Sequence, residues 1–331
     1  MNSAPDNTRI VVLGTGGTIA GTAASPDDVV GYRAGQIGIE TLLAGVSRPP
    51  GTRFEAEQVA QIDSKDMTHA IWQTLAQRVA HHLARPEVGG IVVTHGTDTL
   101  EETAWFLQRV LAPGKPVVLT GAMRPATARE ADGPQNLSDA ITLAREPGLS
   151  GVLAVLAGSV HDACDVRKAN PLRQDDAFAS GEAGPLGVIG AGRLRWLRLR
   201  GDAAGSAAWA VPSGRPASFS HPALSRPAAD WPRVEILTSH AGATGALVRA
   251  LCAEGIDGIV VAATGNGAVH RELQDALVVA QSAGVVVLCT PRSGVGRAHP
   301  QAIDRLPTVD GLTPAKARVE LMIRLMERAG A

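Results

Sequence analysis

The chain has 331 residues, a formal net charge of -1, 45% hydrophobic and 19% charged residues. That length favours two domains with sizeable cores, and near-neutrality with dispersed basic residues gives no electrostatic basis for binding nucleic acid or an anionic membrane. The cysteines, Cys164, Cys252 and Cys289, lack the CxxC spacing of a zinc site and suggest no disulfide framework.

In chain order, a polar N-terminus leads into a short apolar run at 10–13 that ends in the glycine-rich GTGGTIAG. The run is too short for a signal-peptide core, and no apolar stretch approaches the roughly 20 residues that span a bilayer. A cytoplasmic protein is expected, with a periplasmic one the alternative where a leader has been removed. IDSKDM, with Ser64, Lys65 and Asp66, precedes a helix predicted over 68–83. A β-branched run at 90–94 leads into HGTDTLEETA, where Leu100, Ala104, Leu107 and Leu111 fall at helical spacing. Runs at 117–120 and 152–157 lead into GAMRP and GSVHD, and DVRKAN with Lys168 follows. Residues 201–232 are rich in Ala, Ser, Pro and Gly and read as a linker. The alternation resumes at 234–237, at 258–262 before ATGNG and at 285–289, with a last helix over 314–329. The pattern predicts an α/β protein. Its larger N-terminal domain, 1–200, has a mostly parallel sheet covered by helices, and a smaller C-terminal α/β domain spans 233–331. In such folds chemistry belongs beyond the C-terminal strand ends.

GTGGTIAG fails two nucleotide signatures. A dinucleotide fingerprint needs glycine at 19, which is Ile19, and a P-loop needs a lysine where Gly21 is followed by Thr22. The turn does offer two hydroxyls, Thr15 and Thr18. A threonine hydroxyl is a weak nucleophile and needs a base or proton sink; it serves as readily to cap a turn. Asp98 or Thr99 likewise reads as an N-cap, with Glu101 and Glu102 answering the helix dipole. That does not account for His95, Thr97 and Asp98 crowding one strand end. Lys168 beside a carboxylate could move a proton through a threonine hydroxyl, and Ser64 also reads as a helix-start signal. Basic residues are mostly arginine, with lysine only at 65, 115, 168 and 316, and Tyr32 is the sole tyrosine.

Together these segments resemble the bacterial L-asparaginase family, including its glutaminase-asparaginase branch. The resemblance is carried over nearly the full length by TGGTIAG (15–21), HGTDTLEETA (95–104), GAMRP, DGPQNL (132–137), DVRKAN, GPLG (184–187), GNG (265–267) and PAKARV (314–319). It implies hydrolysis of L-asparagine to L-aspartate and ammonia, an amidohydrolase of class EC 3.5.1.1, without metal or cofactor, in a homotetramer. It further implies that Thr15 attacks the amide as nucleophile, helped by Tyr32 on a lid, and that Thr97, Asp98 and Lys168 form a second catalytic group. Ser64 and the backbone around it would take the substrate carboxylate, Asp98 would take its ammonium, and Gly96 and Thr97 would also contact the substrate; Lys65 could pair with the carboxylate or with Asp66. Backbone near Ala122 would serve the oxyanion, and Asn266 would reach a neighbouring subunit's site. Lys65 stands where many relatives have Gln. The stretch 293–310, which in relatives brings an acidic residue from a neighbour, contains no Glu; Asp304 and Asp310 are the acids present. Comparable activity on L-glutamine and a catalytically silent amino-acid-binding protein are the alternatives.

Overall fold

The computed structural model describes residues 8–199, 220–293, 306–309 and 311–329. The chain divides into two compact units, with the described residues through 199 in the first and those from His221 onward in the second.

In the first unit the order is β1 (Thr8–Gly16), α1 (Ile39–Ala44), β2 (Thr52–Ile62), α2 (His69–Leu83), β3 (Val88–Thr94), α3 (Leu100–Leu111) and β4 (Pro116–Thr120). Then come α4 (Gly133–Ala144), β5 (Gly151–Leu156), β6 (Ser159–Asp162), β7 (Arg167–Lys168), β8 (Phe178–Ala179), β9 (Gly187–Gly190) and β10 (Arg193–Trp196). Eight of these strands form one sheet in the order β10-β9-β6-β5-β4-β3-β1-β2. From β2 to β5 all neighbours are parallel, and β6, β9 and β10 extend the sheet antiparallel.

The apolar runs become central strands because both sheet faces are covered. Ile10, Val11, Val12 and Leu13 of β1 have no exposed surface. On one face Ile10, Val12, Val92, Val118 and Val155 share a core with Ile39 and Leu43 of α1 and Leu137 and Ile141 of α4. Alternation along the strand sends Val11 and Leu13 to the other face. There α2 and α3 pack against each other and the sheet, with Trp72 stacked on Phe106 at 5.0 Å.

β2 is an edge strand that the apolar-run pattern does not reveal, because polar residues interrupt its apolar ones and most of its side chains are half-buried. Phe54 and Ala56 pack against the core, and ion pairs add to this hold. Arg78 of α2 binds Glu57 through Nε and Nη2 at 2.5 and 2.9 Å, and Arg85 binds Glu55 through Nη1 and Nη2 at 2.7 and 2.8 Å. The Arg85 guanidinium brings the Glu55 carboxyl down to about 2.

The helix predicted over 68–83 is α2, whose N-cap Thr68 accepts the Ile71 N–H at 3.3 Å. After β5 the chain makes a hairpin into antiparallel β6, with Ala157 and Gly158 at φ 47° and 72°. Two successive left-handed residues form the primed turn that suits strand twist.

The second unit contains β11 (Val234–Thr238), α5 (Ala246–Ala253), β12 (Gly258–Ala263), α6 (Arg271–Ser282), β13 (Val286–Pro291) and α7 (Pro314–Ala329). Its sheet is parallel in the order β11-β12-β13, and Val248, Ile259, Val261, Leu273 and Leu277 lie in its core. Of the linker expected over 201–232, residues 201–219 lie outside the described residues. The remainder forms two short 3-10 turns, Pro222–Leu224 and Ala228–Asp230, and buries Ala223 and Trp231.

Gly90 in β3 shows how tightly α4 meets the sheet. A Cβ there would stand 2.2 Å from the Ala144 carbonyl oxygen, whereas one on Gly190 would meet nothing within 4 Å. Gly90→Ala is expected to cost about 1–3 kcal/mol, and Gly190→Ala to be near neutral. Thermal unfolding of the two variants checks this contrast.

Candidate active site

The chain runs from β1 outward to β2 and returns to β3 on the other side of β1. The gap between β1 and β3 is therefore a topological switch point, where an open parallel sheet leaves a crevice at its C-terminal edge. Glycines press the surrounding loops together. A Cβ on Gly16 would lie 2.4 Å from the Ile62 carbonyl oxygen, and one on Gly17 would lie 2.4 Å from Gly96 Cα. A Cβ on Gly96 would lie 2.4 Å from Ser64 Oγ, and one on Gly121 would lie 2.5 Å from the His95 carbonyl oxygen. The ends of β1, β2, β3 and β4 thus meet in backbone contact.

The two hydroxyls of the first turn have different surroundings. Thr15 is still within β1, is 1% exposed, and donates its hydroxyl to the Thr94 carbonyl at 2.9 Å. Thr18 opens a 3-10 turn beyond the strand, and its Oγ1 shares a 2.7 Å hydrogen bond with the Tyr32 hydroxyl. The expected partnership of Thr15 with Tyr32 is therefore corrected: Tyr32 pairs with Thr18. The reason is register. Gly14 stands opposite Thr94 in the parallel ladder, so Thr15 is spent on joining β1 to β3, and the chain clears the sheet only after Gly16 and Gly17.

Tyr32 lies on a loop closed at its neck by paired backbone bonds between Thr22 and Arg33, at 2.9 and 2.8 Å. The loop is also tied to the stretch after β4 through Arg129 Nε and Asp27 Oδ1 at 2.7 Å. A Cβ on Gly21 would come within 2.9 Å of Tyr32 Cδ2, so the ring lies directly over that glycine.

Thr97, Asp98 and Lys168 are brought together. Lys168 Nζ donates to Thr97 Oγ1 at 2.9 Å and to Asp98 Oδ1 at 2.6 Å. Thr97 is buried, whereas the Asp98 side chain is 52% exposed and the Lys168 side chain 20%. Ser64 is buried; its Oγ accepts the Asp98 N–H at 3.3 Å and its carbonyl accepts the Thr99 hydroxyl at 2.9 Å. Thr99 occupies the N-cap of α3 without a side-chain capping bond. Lys65 is 61% exposed and forms a short hydrogen bond with Asp66. That bond raises its ammonium above the usual range, with smaller contributions from Asp63 and Asp98.

GAMRP and DGPQNL are parts of one scaffold. The Asp132 carboxylate accepts the N–H groups of Met123 and Arg124 at 2.9 and 3.0 Å. Buried Asn136 donates to the Gly121 carbonyl at 3.0 Å and to Asp132 at 3.1 Å, and accepts the Ala157 N–H at 2.9 Å. Buried Ala122 is thereby fixed in the loop after β4, and a Cβ on Gly121 would lie 3.3 Å from Thr97 Cγ2. Sequence reasoning quoted these motifs without assigning Asp132 or Asn136 a task; an acid followed four residues later by Asn at a helix start was the available signal. Asn266 lies in the second unit, exposed on the turn after β12. Asp304 and Asp310 lie outside the described residues.

Comparison with known proteins matches residues 9–200 to the N-terminal asparaginase domain and residues 233–329 to the glutaminase/asparaginase C-terminal domain. The chain belongs to the asparaginase family. It is 35% identical to L-asparaginase 2 of Escherichia coli (strain K12) over 96% of this chain and 89% of that protein. It is also 35% identical to the glutaminase-asparaginase of Pseudomonas fluorescens biotype A, over 96% of this chain and 86% of that one. A crystal structure of a probable cytoplasmic L-asparaginase from Campylobacter jejuni superimposes with a TM-score of 0.83 at 35% identity, covering 97% of this chain and 95% of that one.

His95, the first residue of the HGTDT segment, is a support. It is fully buried; Nδ1–H donates to the Gly96 carbonyl at 2.7 Å, so Nε2 accepts the Thr103 hydroxyl at 2.9 Å. That hydroxyl accepts the Trp72 indole N–H at 2.8 Å. Burial pushes the imidazole from 6.5 down to about 4. The unfolded chain therefore takes the proton first as pH falls. Stability from neutral His95 is complete above about 6.5 and is lost on the way to about 4, a loss on the order of 3 kcal/mol. His95→Asn, which keeps a donor toward Gly96, is expected to be less stable at neutral pH but to show a flatter pH dependence in that window. Thermal midpoints measured across it provide the check.

Proposed function

We propose that the chain is an L-asparagine amidohydrolase working through a threonine acyl-enzyme, with Thr18 rather than Thr15 as nucleophile. The observation that carries this reading is the pair of hydroxyl relays at adjoining loops. Thr18 is bonded to Tyr32, and Thr97 to Lys168, whose ammonium also binds Asp98, with Gly17 and Gly96 in contact between them. The substrate class is supported by relatives named L-asparaginase 2 from Escherichia coli and from Bacillus subtilis, each 35% identical.

Thr18 Oγ1 attacks the carbon of the side-chain amide as its proton passes to the tyrosine oxygen and on to the leaving nitrogen. The C–N bond breaks, ammonia departs and an ester remains on Thr18. Water then attacks this ester beside Thr97, whose hydroxyl is oriented by Lys168. L-aspartate is released and the threonine hydroxyl is restored. Backbone N–H groups at Ala122 and in the Thr97 turn face the oxyanion. Asp98 takes the substrate ammonium, and Ser64, Gly96 and Lys65 its carboxylate, which holds the amide at attack distance. No resident metal or cofactor enters this scheme.

L-glutamine is the second reading. The glutaminase-asparaginase relative is equally similar at 35% identity, and one methylene usually provides only about 1–3 kcal/mol of discrimination. A homotetramer, with Asn266 serving a neighbour's site, and a cytoplasmic location belong to the same proposal. The Campylobacter relative is called cytoplasmic, whereas a Haemophilus influenzae relative is called periplasmic. No helix among the described residues is long and apolar enough to cross a membrane.

Ammonia release from the two amides, measured side by side, tests the reading: asparagine turnover is expected, and silence with both would refute it. Thr18→Ala should lower kcat about a thousandfold or more with little change in thermal midpoint. Thr15→Ala should instead lower the midpoint while retaining measurable turnover. The opposite pattern would return the nucleophile to Thr15. Tyr32→Phe should lower kcat by about 10²-fold, and light scattering should give four times the 34.1 kDa chain mass.

A further inference from the structure

Lys168 sits on β7, one half of a two-stranded sheet in which each strand has two residues. Such an isolated pair is weak support for a backbone, yet the ammonium must meet Thr97 and Asp98 together. The connection that supplies precision comes from α3. Glu101 Oε2 accepts the Lys168 backbone N–H at 2.7 Å, across 67 positions of the chain. Glu101 lies in the first turn of α3, where the helix dipole favours its charge, and Thr97 and Asp98 stand just before the same helix. One helix start thus holds Lys168 at both ends, the N–H through Glu101 and the Nζ through Thr97 and Asp98.

We infer that Glu101 is a positioning residue for the reaction: its carboxylate fixes the Lys168 backbone so that Nζ stays within hydrogen-bond reach of Thr97. Without this bond, a backbone drift of about 1 Å would carry the 2.9 Å contact with Thr97 past the limit of a useful hydrogen bond. The inference rests on the proposed role of Lys168 as the partner of Thr97. A carboxylate that served only the helix dipole would affect stability and leave turnover alone.

The test compares Glu101→Ala, Glu101→Met and Glu101→Gln with Lys168→Ala in the full-length protein, reading kcat, KM and thermal midpoint for L-asparagine. Glu101→Met keeps the length of the side chain and removes the acceptor, while Glu101→Gln keeps a neutral acceptor. Loss of the acceptor in Ala and Met is expected to lower kcat about 10- to 100-fold with KM changed less than about threefold. Glu101→Gln should stay within about threefold of the parent in kcat. Parental kcat in the Met variant while Lys168→Ala is inactive would overturn the inference and leave the role of Lys168 intact. So would a Gln variant as slow as the Met variant. Parental turnover in Lys168→Ala would instead remove the reading of Lys168, and Glu101 could then no longer act through it.

Discussion

The site depends on backbone meeting backbone where four strand ends converge. Gly16 against the Ile62 carbonyl and Gly17 against Gly96 leave no room for a Cβ, and neither does Gly96 against the Ser64 hydroxyl, each projected contact being 2.4 Å. Gly16 and Gly17 also hold φ of 99° and 79°, a region closed to most side chains. Everything chemical is mounted on this contact. It delivers Thr18 beyond β1 and Thr97 beyond β3 to adjoining positions, and it seats Ser64 under the N–H of Asp98.

Around that contact the molecule uses charge in two ways. At the edge of the sheet, Glu55 and Glu57 bind Arg85 and Arg78 through paired hydrogen bonds; there charge adds to the packing of Phe54 and Ala56. At the strand ends, Lys168 is shared between a buried hydroxyl and a half-exposed carboxylate. An ammonium held by Asp98 on one side can orient a hydroxyl on the other. The distinction lies in what each charge touches, since both sets of ions look alike in a composition count.

Asn136 and His95, buried behind the site, have partners for each side-chain polar atom, as burial requires. Asn136 uses both amide hydrogens and its carbonyl on the loops after β4 and β5. His95 is held as one tautomer by a chain of bonds running from Trp72 through Thr103 to Gly96. These groups convert loops into fixed geometry. The crowding of His95 beside Thr97 and Asp98 in the sequence thus has two explanations: His95 supports the loops, and its neighbours meet the Lys168 ammonium.

Hydrophobic runs and helical spacing were enough to read β1, β3, β4, β5, α2, α3 and α7, because an apolar stretch of that length is stable only when buried. The family was legible in TGGTIAG and HGTDT, and so were the groups at Thr97, Asp98 and Lys168. Strand β2, the hairpin after β5 and the hydrogen bonds of Glu101, Asp132 and Asn136 were not. Their partners lie far along the chain or are backbone atoms that no side-chain pattern reports. The choice between Thr15 and Thr18 was hidden for the same reason. Composition makes the two hydroxyls equivalent; the pairing of β1 with β3 engages one with the Thr94 carbonyl, and the two glycines that follow carry the other out of the sheet to Tyr32.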